Sequence, residues 1–225
     1  MSSIISNASL AIQVWNDVRN NPAAFINYFN QGAYFQVFKD DYLTWKANSP
    51  EFIHAYLGLV QKVMQTNFSL SLFSVDSVTD KKDVESNWDL FETNLKYNPY
   101  EAAIIPNPSM ILAPNITGIT PLEGVTRPIQ WALHKDLWVE GQSDLVQVFD
   151  IPFNDLSVLF EEEEADYVIM APALKELEES NTFAIDLILW GHNSDGITWN
   201  KPMDFLRPAP PFSFPSNFQL LKYAL

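Results

Sequence analysis

Two of the three histidines in the sequence stand where, together with a carboxylate, they could bind a metal ion. His134, Lys135 and Asp136 form an H-x-D triplet, and the alternation of apolar and polar residues over 129–134 predicts a strand. Residues i and i+2 of a strand point to the same face, so His134 and Asp136 are expected to face one ion. His192 follows a second predicted strand and supplies another imidazole. Two imidazoles and one carboxylate, with open coordination positions, are the ligands of non-haem Fe(II) oxygenases.

The spacing of this set resembles that of the Fe(II)/2-oxoglutarate-dependent oxygenases. The resemblance implies Fe(II) as cofactor and 2-oxoglutarate as cosubstrate. It makes His134, Asp136 and His192 the metal ligands, and it leaves Lys201 or Arg207 to bind the carboxylate of the cosubstrate. The same stretch also fits a half-buried strand that turns its polar face to solvent and binds nothing. Both interpretations stay open from the sequence.

A run of acidic residues is the second feature that could carry function. It comprises Glu161, Glu162, Glu163, Glu164 and Asp166. Clusters of one charge sign raise association rates and select partners of the opposite sign, so the run is a candidate surface for binding a basic protein. The alternative is a solvated helix end or turn. Calcium binding is disfavoured because Ca²⁺ loops place glycine and carbonyl donors between their acids.

Charge is distributed unevenly along the chain, whose formal net charge is -15. Residues 136–195 contain fifteen acidic residues and one basic residue, Lys175. Such a field repels nucleic-acid phosphates and anionic lipid surfaces and attracts cationic partners. We therefore expect no nucleic-acid partner, no membrane partner and a basic protein partner.

Several classes of protein are disfavoured by what the sequence lacks. The chain has no cysteine, which excludes disulfide scaffolds, Cys-ligated zinc and thiol catalysis. It also has no P-loop, G-x-G-x-x-G, G-x-S-x-G or H-E-x-x-H motif, and no apolar run long enough to span a membrane. The leading hypothesis is a non-catalytic, cytoplasmic binding protein without a cofactor, which binds and neutralises a basic partner as immunity or inhibitor proteins do.

The elements that must position these residues are predicted to be helical first and sheet-containing later. Helical spacing of apolar residues, with Asn-Pro and Ser-Pro starts, predicts helices over 7–20, 22–29, 35–45, 50–64 and 84–95, with one strand near 68–72. Six prolines between Pro99 and Pro128 predict an irregular segment. Strands are predicted over 129–134, 145–151, 167–170 and 183–190, and short helices over 155–164 and 173–180.

These elements predict an α+β fold, with a helical N-terminal half followed by a mixed, sheet-containing C-terminal half. The predicted organisation is a mainly helical region over 1–98, a Pro-rich junction or wrapping loop over 99–128, and a sheet-containing region over 129–225. Whether these form one domain or two is left open by the sequence.

Overall fold

The computed structural model describes residues 3–29, 33–61, 67–83, 88–97, 119–177, 182–192, 202–204, 207–209 and 218–225. Its helices are α1 (Ser3–Val18), α2 (Pro22–Tyr28), α3 (Lys39–Lys46), α4 (Pro121–Glu140), α5 (Phe153–Ser157) and α6 (Gln219–Ala224). A 3₁₀ turn covers Thr79–Lys81, and a π-helical turn, Val158–Glu162, continues α5. None of the described helices has the length and apolar character needed to cross a membrane.

The strands are β1 (Ala33–Phe38), β2 (Phe52–Gln61), β3 (Phe68–Asp76), β4 (Phe91–Asn94), β5 (Lys96–Tyr97), β6 (Val148–Pro152), β7 (Tyr167–Leu177), β8 (Thr182–His192) and β9 (Arg207–Ala209). They form a four-stranded sheet in the order β5-β1-β7-β8 and a five-stranded sheet in the order β4-β3-β2-β6-β9. All strand pairs are antiparallel.

The two sheets face each other across the main core, and helices cover their outer faces. In β8, Leu187 and Leu189 belong to the core between the sheets, whereas Ile188 and Trp190 belong to the cluster under α4. In β2, Leu57 likewise faces the main core, while its neighbour Tyr56 joins the cluster under α1 and α6. This alternation follows from the two-residue period of a strand, and it makes both faces of β2 and of β8 apolar.

The α+β class predicted from the sequence is confirmed: helices open the chain and a sheet-rich region follows. The predicted helices near residues 7–20, 22–29 and 155–164 are present. So are the strands predicted near 68–72, 145–151, 167–170 and 183–190.

Other elements differ from the prediction. The segment predicted as a helix over 50–64 contains strand β2, and the one predicted over 35–45 is divided between β1 and α3. The described residues of the helices predicted over 84–95 and 173–180 include strand β4 and the end of β7. In β2, burial of both faces leaves apolar residues at nearly every position, so that a helical period also fits.

The strand predicted over 129–134 is instead the middle of helix α4. Thr120 caps this helix: its hydroxyl accepts from the Glu123 amide, and the Glu123 carboxylate accepts from the Thr120 amide. Pro121 occupies the first turn, where a missing N–H costs nothing. The irregular segment predicted over 99–128 is thus helical from Pro121 onward, and residues 99–118 lie outside the described part of the chain.

We expect the chain to unfold in a single cooperative transition. Each sheet combines strands from before residue 98 with strands from after residue 129, so neither half can keep its sheet when the other unfolds. Differential scanning calorimetry should give one peak whose calorimetric and van't Hoff enthalpies agree. Two resolved peaks would show instead that the regions 1–98 and 129–225 are separate domains.

Candidate functional site

The H-x-D triplet lies on a helix, and this changes where its side chains point. At 3.6 residues per turn, residues i and i+2 are about 200° apart, so His134 and Asp136 do not face one point. The His134 ring stacks on Phe183, with ring centroids 5.5 Å apart. The carboxylate of Asp136 lies 3.2 Å from Lys135 Nζ and its side chain is 66% exposed.

His192 lies at the other end of β8 from the residue that His134 contacts. Phe183 is the second and His192 the last of the eleven residues of β8, which separates them by about 30 Å at the rise of a strand. The buried His192 ring stacks on Tyr167 at 5.1 Å. The structure therefore does not bring the two histidines together. Across the described residues, no group of three or more His, Asp or Glu side chains is placed to hold a metal ion.

Of the two residues predicted to bind the cosubstrate, Lys201 and Arg207, the structure describes only Arg207. Lys201 lies outside the described residues. Arg207 begins β9, opposite Asp150 of β6, and its guanidinium lies 5.6 Å above the ring of Phe52. Because the proposed iron ligands are not assembled near Arg207, the 2-oxoglutarate interpretation gains no support from this geometry.

The acidic segment (Glu161–Glu164 and Asp166) follows α5 and leads into β7. Glu161 accepts hydrogen bonds from Lys46 Nζ and from the Tyr42 hydroxyl, and these bonds lower the pKa of the Glu161 carboxyl. Glu162, Glu164 and Asp166 are exposed, and Glu164 has a positive φ of 56°. Glu161 is thus hydrogen-bonded to two residues of α3, and the exposed side chains of Glu162, Glu164 and Asp166 place negative charge at the surface.

Helix α4 carries a surface feature that the sequence analysis missed. Leu122, Ile129, Leu133 and Leu137 are 55%, 51%, 70% and 74% exposed. At 100° per residue these four positions fall within about 80° of the helix circumference and extend for about 22 Å along its axis. We call this set the α4 stripe. An exposed apolar set of this kind on a folded surface typically marks an interaction site.

Acidic residues border the α4 stripe. Glu123 and Asp136 lie on its two sides and Glu140 lies at its C-terminal end, and all three are exposed. Two of these acids pair with bases of the same helix: Glu123 lies 3.2 Å from Arg127 Nη2, and Asp136 lies 3.2 Å from Lys135 Nζ. Both bases are largely covered, since Arg127 is buried and the side chain of Lys135 is only 14% exposed, so the acids carry most of the exposed charge. The exposed face of α4 is therefore apolar in the centre and negative around it.

On its buried side α4 contributes Arg127 to an ion cluster. Arg127 Nη1 lies 3.2 Å from Asp186 and closer to Asp204, and Arg127 Nη2 lies 3.2 Å from Glu123. Lys175 Nζ lies 3.3 Å from the same oxygen of Asp204. Burial raises the pKa of Asp186 to about 7; the charge of Asp204 adds to this, and Arg127 opposes it. We call these five residues the Arg127 cluster.

A second buried polar cluster lies under the C-terminal helix. Asp80 Oδ2 lies 2.5 Å from His54 Nδ1 and also accepts from the Tyr56 hydroxyl, while Asp80 Oδ1 accepts from the Leu220 amide at 3.0 Å. The other nitrogen of His54 lies 3.6 Å from Asp150, whose pKa is raised by burial and lowered in part by His54 and Arg207. We call this set the Asp80 cluster. Its contacts connect β2, β6, the 3₁₀ turn and α6.

Comparisons with known proteins give no independent indication of function. No protein-family model matches the chain, and no match is found among curated proteins or solved structures.

Proposed function

We propose that this chain is a non-catalytic binding protein that captures a basic partner protein, in the manner of an immunity or inhibitor protein. The observation that carries the proposal is the α4 stripe with its acidic border. The partner segment that fits this face is a basic amphipathic helix, with apolar residues at i, i+3, i+4 and i+7 and with lysine or arginine beside them.

Burial of the stripe supplies the affinity in this proposal. Covering an exposed leucine side chain stabilises a complex by about 1.5–3 kcal/mol when burial is complete. Most of the stripe is exposed, with Leu133 at 70% and Leu137 at 74%, so these two leucines have the most area to bury. Part of the gain is offset by the loss of rotational and translational freedom on association.

Charge selects the partner. Glu123 lies near the N-terminal end of the stripe, and Asp136 and Glu140 lie near its C-terminal end, so a docked basic helix gains attraction at both ends. The acidic segment adds exposed negative charge in Glu162, Glu164 and Asp166. A second copy of the chain is disfavoured as the occupant because each copy carries a net charge of -15.

Binding to a designed peptide tests the proposal. The probe is an amphipathic leucine–lysine helix of about 18 residues, compared with a scrambled peptide of the same composition by fluorescence anisotropy. We expect the amphipathic peptide to bind at least ten-fold more tightly than the scrambled one. The double substitution Leu133→Asp and Leu137→Asp should lower its affinity by at least about ten-fold, which corresponds to about 1.4 kcal/mol.

Leu10→Asp is the matched control, since Leu10 is 62% exposed on α1, a different helix. Its affinity for the peptide should equal that of the wild type.

Changing Glu161–Glu164 to Gln should slow association of the peptide at low salt if the acidic segment takes part, and leave the association rate unchanged if it does not. Equal peptide binding by the wild type and the α4 double variant would refute the proposal, as would a wild-type dimer that the double variant abolishes.

A further inference from the structure

Basic side chains converge at one place on this acidic protein. Lys175 is the only base among residues 136–195, and it shares Asp204 with the buried Arg127. Arg207 lines the same region from β9. Two of the thirteen basic residues of the chain therefore contact the same carboxylate, and a third, Arg207, lines the cavity beside it.

Two adjoining cavities open beside these residues. One has a volume of about 360 Å³ and the other about 480 Å³, and Lys175, Asp204 and Arg207 line both. We call the combined space the charged cleft. Apolar groups of Leu177, Ile185 and Pro208 form part of the wall of the smaller cavity. Cavities of this size hold small organic molecules rather than chain segments.

The polar groups of the smaller cavity favour an anion, whereas the larger cavity is also lined by the acidic Glu51. Lys175 Nζ can donate three hydrogen bonds, and its side chain remains 45% exposed while it contacts Asp204. The guanidinium carbon of Arg207 lies 5.6 Å from the centre of the Phe52 ring, and the guanidinium carries five N–H donors. The charge of Asp204 is already opposed by Arg127 and Lys175, and the raised pKa of Asp186 reduces its negative charge near neutral pH.

We propose that the charged cleft binds a small organic carboxylate. Its carboxylate group lies between Lys175 Nζ and the Arg207 guanidinium, and its short apolar chain lies against Leu177, Ile185 and Pro208. This site is separate from the α4 stripe, so it does not depend on the binding of a partner protein.

The proposal is tested with hexanoate, by isothermal titration calorimetry on the full chain at low ionic strength. Hexanamide and hexylamine serve as ligands of similar shape without the negative charge. We expect hexanoate to bind, and the neutral amide and the amine to bind at least ten-fold more weakly. Lys175→Gln and Arg207→Gln should each weaken hexanoate binding by about ten-fold, since each removes a charge-assisted hydrogen bond.

Lys222→Gln is the matched control, because Lys222 is an exposed base on α6 that lines neither cavity. It should bind hexanoate like the wild type. No detectable hexanoate binding, or binding that Lys175→Gln and Arg207→Gln leave unchanged while both variants are folded, would overturn the proposal. Equal binding of hexanoate and hexanamide would also overturn it, because the cleft would then recognise only the apolar chain.

Discussion

Replacing Asp80 with alanine is expected to lower the free energy of unfolding by about 3–5 kcal/mol. Asp80 is 1% exposed, and it holds three buried donors: the His54 ring, the Tyr56 hydroxyl and the Leu220 amide. Without the carboxylate, His54 remains buried beside Asp150, and the other two donors lose their acceptor. Urea denaturation followed by tryptophan fluorescence measures the loss.

Two further variants distinguish the loss of the contacts made by Asp80 from the loss of a negative charge alone. Asp83→Ala removes an exposed carboxylate three residues away and should change stability by less than about 0.5 kcal/mol. Asp80→Asn keeps an acceptor and should cost less than Asp80→Ala. In Asp80→Asn, hydrogen exchange should also accelerate at the amides of Leu220 and its neighbours in α6. Equal, small losses in Asp80→Ala and Asp83→Ala would show that the cluster contributes little.

The sequence predicted the fold class and several strands because those strands begin after a polar residue and continue as apolar runs. Residues 167–170 follow Asp166, and residues 183–190 follow Thr182 and are apolar except for Asp186; they lie in β7 and β8 of the four-stranded sheet. The strand β2 was mistaken for a helix because both of its faces are buried. A run with apolar residues at nearly every position satisfies the helical and the strand period alike.

Helix α4 was missed for a different reason. Pro121 and Pro128 were interpreted as breakers, whereas Pro121 occupies the first turn and Pro128 is accommodated inside the helix. A readable signal was present: Thr120 and Glu123 have the T-x-x-E spacing of a capping box. A helix predicted from this capping box would have indicated the α4 stripe as well. Leu122, Ile129, Leu133 and Leu137 follow one another at intervals of seven, four and four residues, which places them on one side of a helix.

The buried ion clusters could not have been predicted from the sequence. Arg127, Asp186 and Asp204 meet because α4 packs across β7 and β8 while Met203 pairs with Leu189 of β8. His54 and Asp150 meet because β2 and β6 pair in one particular register. Such contacts depend on long-range pairing, which residue type and local spacing do not contain.

Stability near neutral pH is expected to depend strongly on Asp186. Burial raises the pKa of this carboxyl from 3.8 to about 7, because Arg127 lies closer to Asp204 and opposes the burial only in part. Between about pH 4 and pH 7 the folded chain holds a proton that the unfolded chain releases. Stability therefore falls as pH rises through this window, by up to about 4 kcal/mol in total, and the loss is complete above about pH 7.

Asp186→Asn should remove this dependence. The variant cannot ionise, so its free energy of unfolding should match that of the wild type near pH 4 and exceed it by up to about 4 kcal/mol at pH 8. Asp136→Asn is the control, since that carboxylate is 66% exposed; its difference from the wild type should stay small at every pH. Urea denaturation at intervals from pH 4 to pH 8 gives the three curves. If the curve for Asp186→Asn ran parallel to the wild-type curve, Asp186 would be ionised in the folded chain, and its contact with Arg127 would outweigh burial.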